Sequence, residues 1–185
     1  MPSPQSLSET DRRLVATWAA DCAERVLVLF EAEAPTDGRP RDAIVRTRAF
    51  ARGELDAASE IRQRFVAGRA AHAVNTPAAV AAARAAGQAT GVAHMGAHAL
   101  GAAAYAAKAA GLAAPDQPKA VSDEITWQLE HMNPQVRVAL QQLPPIGTDS
   151  AGPLAPGLLA SGILGTIIRK IQAGMGDISP DKSVR

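Results

Sequence analysis

Apolar positions recur along this chain at helical spacing and almost nowhere alternate with polar ones. Over residues 9–33, Val15, Ala19, Cys22, Val26 and Phe30 fall on one stripe, which Leu14, Trp18 and Leu29 widen. Ser8 followed by Asp11 resembles a capping start, with an acid near the positive end of the helix. The loop APTDGRP leads to a second predicted helix, 40–52, which turns Ile44, Val45 and Phe50 inward and stops at Gly53. A third is predicted over 54–74 with Ile61, Phe65 and Val66 on its inner side. Asn75, Thr76 and Pro77 then restart the chain, and 77–112 is helical and nearly all small. That run is too long for one ordinary helix, so Gly91 and Gly96 mark a break near His94.

Two more helices are predicted, over 119–132 with Val121, Ile125, Trp127 and Leu129, and from Asn133-Pro134 through Val136, Val138 and Leu140. The second ends before Pro144-Pro145. No segment alternates apolar and polar residues with β-branched enrichment, so the expected fold is all-α, a compact bundle of six to seven helices. Residues 1–7 read as a loose leader. The expected organisation is a helical domain over 1–145 and an extension over 146–185. The extension consists of a Gly/Pro/Ser-rich linker, the apolar helix LLASGILGTIIRKIQAGMG and a polar tail. The apolar helix either docks on the domain or serves as a contact arm for a partner or a membrane surface, the latter weakly because Arg169 and Lys170 are its only basic residues.

Composition sharpens this picture. The chain has 185 residues, a length that fits one domain, and its 47% apolar share includes only three Phe, two Trp and one Tyr. The core is therefore expected to be alanine-rich, with helices packed backbone near backbone. Net charge is +1, from 19 basic and 18 acidic residues read as spread over the same segments, so nucleic acid is not an expected partner. The single cysteine, Cys22, excludes an intramolecular disulfide. No run reaches the roughly 18 apolar residues of a membrane span. The first twenty residues lack a basic start before an uninterrupted apolar stretch, so a cytoplasmic protein is expected.

Candidate chemistry is sparse. His94 and His98 lie one turn apart, and Tyr105, seven residues beyond His98, falls on the same face, so the three could line a pocket. A helical metal site needs a third ligand and usually a base, and Met95, not Glu, follows His94, so no metal and no cofactor is assigned. The alternative is that these histidines cap helix ends or satisfy buried backbone groups. Asp21 with Arg25 and Asp42 with Arg46 have the spacing of stabilising helix pairs. Asp21 borders the buried stripe, and with Asp42, His94 and His98 it could supply acid and base to a small-molecule enzyme, a cyclase, isomerase or hydrolase. Cys22 reads as a buried structural cysteine. Trp18 and Trp127 are candidate interface anchors or core residues.

Four stretches together carry a family resemblance: LSETDRRLVATWAADCAERVLVLFEAEAP, RPRDAIVRTRAFARGE, AAARAAGQATGVAHMGAHALGAAAYAAKAAG and EITWQLEHMNPQVRVALQQLPP. In order and spacing they resemble the bacterial putative immunity protein family, whose members carry a small helical immunity domain of the fifth-type group. The resemblance spans about residues 7–145, and residues 147–185 extend past the family's usual end. It implies a protein that neutralises a cognate toxin. A binding protein of that kind, an enzyme and a helical scaffold that pairs with a second copy through the small residues of 78–112 are the three functional readings carried forward.

Overall fold

The computed structural model describes residues 3–63 and 65–176. Among them the chain is all-α, with no strand. The first helix, α1 (Glu9–Glu31), starts where Ser8 Oγ accepts from the Asp11 amide at 3.0 Å and donates to the Asp11 carboxylate. Its stripe of Val15, Ala19, Cys22, Val26 and Phe30 is sealed. Trp18 is 2% exposed, and its indole N–H donates to the Gln128 carbonyl at 2.9 Å, so the ring is core and its polar atom is satisfied. Against α1 pack α2 (Arg39–Ala51), α5 (Pro77–Gly91) and α6 (His98–Ala113). On α2, Ile44 and Phe50 turn inward as expected, while Val45 is 57% exposed because it lies on the far side of the helix from α1 and α5.

The expected third helix is broken. Residues 54–74 form α3 (Ala57–Gln63), α4 (Val66–Ala70) and a 3-10 turn (Ala71–Ala73). The reason lies in the small face of α4. Gly68 sits so close to Gly87 of α5 that a Cβ on Gly87 would stand 2.9 Å from the Gly68 amide nitrogen. With Ala67 and Ala70 buried on that side, large side chains are excluded from it, and Phe65 points out, 60% exposed. The inward reading of Phe65 is thereby corrected.

The long small-residue run does break. Helix α5 ends at Gly91 and α6 begins at His98. Their alanines, among them Ala82, Ala86 and Ala89 on α5 and Ala99, Ala103 and Ala106 on α6, are fully buried. Each methyl contributes only roughly 0.8 kcal/mol, so stability comes from many close contacts instead of a few large ones. These faces are covered by α1, α4, α7 (Gln117–Glu130) and α9 (Gly162–Gly176) of the same chain, so the surface that the scaffold reading needs is used internally.

The leader is not loose where it is described. The Gly96 and Ala97 amides in the α5–α6 break donate to the carbonyls of Ser6 and Gln5, each at 3.0 Å. Gln5 is itself fully buried; its amide group donates to Asp149 Oδ2 at 2.8 Å and accepts from the Leu154 amide at 2.8 Å. The N-terminal segment therefore ties the break to the 146–157 segment.

Asn133 caps α8 (Pro134–Gln141) by accepting from the Val136 amide, as the Asn-Pro pair predicts. Ile167, Ile168, Ile171 and Met175 of α9 are buried against the rest of the fold. Its last turn is capped from α8, by Arg137 on the Gly174 carbonyl at 3.1 Å and Gln141 on the Met175 carbonyl at 2.9 Å. Among the described residues no helix is long and apolar enough to cross a membrane.

Candidate functional site

Helical spacing places Arg84, Gly87, Gln88 and Gly91 on one face of α5, and His98, Gly101 and Tyr105 on one face of α6. Between these faces, α4, the 3-10 turn and the α5–α6 break lies a cleft of about 490 Å³. Tyr105, 3% exposed, stands deepest. Arg69, His72, Arg84 and His94 are exposed at its sides, and Phe65 and Leu158 project at its mouth.

Glycine makes the cleft possible. A Cβ at Gly91 would stand 2.8 Å from the His98 ring, and one at Gly101 would run into the Gln88 amide oxygen. With both positions bare, Gln88 and His98 meet at 2.8 Å between Oε1 and Nδ1. The contact holds the His98 ring in one orientation against Gln88.

The electrostatics are one-sided. No Asp or Glu is among the described residues that line the cleft. The sequence explains why: residues 61–115 contain no acidic residue, yet carry Arg62, Arg64, Arg69, Arg84 and Lys108 as well as His72, His94 and His98. Charge is therefore not evenly mixed, which corrects the expectation of acids and bases spread over the same segments. Arg25, Arg46 and Arg48 find carboxylates, and Arg137 finds backbone carbonyls, but among the described residues no ion pair or hydrogen bond reaches the side chain of Arg69 or Arg84.

Three of the sequence-derived candidates, His94, His98 and Tyr105, thus share one cleft. The other five lie outside it. Trp18 is core. Asp21 pairs with Arg48 at 2.8 Å, not with Arg25. Arg25 reaches the buried Glu124 at 2.9 Å and lies over the Trp127 ring at 3.9 Å, while Trp127 also stacks on His131 at 4.1 Å. Asp42 borders a smaller hollow beside Arg39 and Arg46, and Arg46 pairs with Glu60 of α3 instead. Both expected helix pairs are therefore replaced by partners across helices. The geometry also separates the carboxylates of Asp21 and Asp42 from the histidine cleft. Burial pushes the Cys22 thiol well up, and Glu124 and Asp21 add to this, so no ready thiolate stands there. Among the described residues no three His, Cys, Asp or Glu converge as metal ligands would.

Comparison with known proteins places the chain. The family model for the Imm-5 like putative immunity protein matches residues 5–135. The chain belongs to that family. Within the Imm-5 like match fall α1 to α7, hence every wall of the cleft except Leu158. No curated protein and no solved structure matches the chain.

The cleft's main groups missed by sequence reasoning are Phe65, Arg69, His72, Arg84 and Gln88. Arg84 and Gln88 stand one turn apart as lone polar residues in an alanine run, and the long acid-free stretch around them was the available signal.

Proposed function

We propose that this protein acts in the cytoplasm as an immunity protein that binds a cognate bacterial toxin and blocks it by covering its working surface. Membership of the Imm-5 like family carries this reading. The body suits the task, since alanine-packed helices form a rigid platform that loses little freedom on docking. A protein–protein contact of ordinary size buries on the order of 800 Å² per partner and centres on a few aromatic or arginine anchors. Trp127 of α7, half-buried beneath the guanidinium of Arg25 and stacked with His131, has that chemistry at the protein's edge. Trp18, sealed in the core, does not.

The test is co-expression with whichever toxin-like protein a neighbouring gene is found to encode. The full chain should restore growth and co-purify with the toxin, and Trp127→Ala should weaken the complex by about 30-fold, the loss of one anchor. Full protection by Trp127→Ala would move the contact elsewhere on the surface. Absence of protection and of any complex would end the immunity reading.

A further inference from the structure

We propose that the cleft between α4, α5 and α6 is a binding site for a small organic phosphate, an anionic head group carried on an apolar or aromatic body. The argument starts from charge. Arg69 and Arg84 present two permanent cations at the cleft, with no carboxylate lining it and no ion pair to either among the described residues. A fold that pairs Arg25, Arg41, Arg46 and Arg48 with acids leaves these two without a counterion among the described residues. A group with two negative charges balances them, which a phosphate does and a single carboxylate does not. Guanidinium forks also match phosphate oxygens in geometry, and His72 and His94 add ring N–H donors at the same walls.

The volume selects size. About 490 Å³ lies within the range of small-molecule sites, roughly 300–1,000 Å³, and exceeds what one acidic side chain of a partner protein would fill. The mouth selects the rest of the ligand. Phe65 and Leu158, 60% and 65% exposed, offer apolar surface beside the cations, and Tyr105 offers a buried ring at the base. Glycines 87 and 91 line the wall between, where side chains would fill the space. This site is distinct from the Trp127 surface and does not depend on the immunity reading.

The test uses the full chain and an N-methylanthraniloyl derivative of ADP, read by fluorescence, with inorganic pyrophosphate and adenosine as competitors. Saturable binding is expected, displaced by pyrophosphate and not by adenosine. Arg84→Gln and Arg69→Gln should each weaken it at least tenfold. Arg52→Gln, an exposed arginine outside the cleft paired with Glu54, should leave it unchanged. Circular dichroism of each variant separates lost binding from lost fold. Absence of saturable binding, indifference to pyrophosphate, or wild-type affinity in both cleft variants would overturn the proposal.

Discussion

Two regions of this protein use arginine in opposite ways. On the surface of α1 and α2, Arg48 reaches Asp21 and Glu24 at 2.8 and 2.7 Å, and Arg41 reaches Glu31 at 2.6 Å. There each cation is answered by carboxylates of the same chain, and the result is helix-to-helix attachment. At the cleft, Arg69 and Arg84 are answered by none among the described residues. The side chain is the same; what differs is whether the fold supplies the counter-charge. Where the fold supplies a carboxylate, or a backbone carbonyl as it does for Arg137, arginine is structure, and where it supplies neither, arginine is available to something from outside.

The contrast predicts an order of effects. Arg46→Met should cost the most, about 3 kcal/mol by urea denaturation, because it strands Glu60, 1% exposed, without its cation. A loss below about 1 kcal/mol would show that Glu60 is solvated and would weaken the distinction between paired and unpaired regions. Gly87→Val should follow at about 1–3 kcal/mol, as the side chain is forced against the Gly68 backbone, and it should abolish probe binding at the cleft.

Arg48→Met should lose at most about 1 kcal/mol, since its partners are 40% and 50% exposed and water screens the pairs. Its effect has a defined pH dependence. The Arg48 hydrogen bond holds the Glu24 carboxyl below its usual value, against a smaller opposing effect of burial. The contribution is therefore complete above about pH 4.3, the unfolded value, and fades as pH falls through the lowered folded value. Variant and wild type should converge in stability at acid pH. Arg84→Gln should do least, within about 0.5 kcal/mol, since no partner among the described residues is lost. A large destabilisation there would mean that Arg84 is structural and would collapse the comparison.

How far the sequence could be read follows the same division between local and distant causes. Ser8 and Asn133 act on amides three residues away, so the residues themselves marked those helix starts. The break between α5 and α6 was legible because glycines interrupt an otherwise continuous run. His98 and Tyr105 were legible as neighbours because seven residues make two turns. Partner choice was not. Arg25 ignores Asp21 for Glu124, 99 positions away, and spacing along one helix cannot anticipate a second helix. The orientation of Phe65 failed for a similar reason, since the close approach of Gly68 to Gly87 decides which side of α4 faces in. Arg69 and Arg84 stand on separate helices, so their convergence is a property of the crossing and not of either segment.

The bond from Gln5 to the Leu154 amide joins residues 149 positions apart. During synthesis Gln5 leaves the ribosome 149 residues ahead of Leu154 and must wait for that stretch before its acceptor, the Asp149 carboxylate, and its donor, the Leu154 amide, both exist. At about 5–20 residues per second, that wait lasts roughly seven to thirty seconds. Closure of the Gln5 side chain against the late segment is thus timed by translation, and a nascent chain halted short of Leu154 would hold Gln5 by its carbonyl at Ala97, with its side-chain oxygen still waiting for the Leu154 amide.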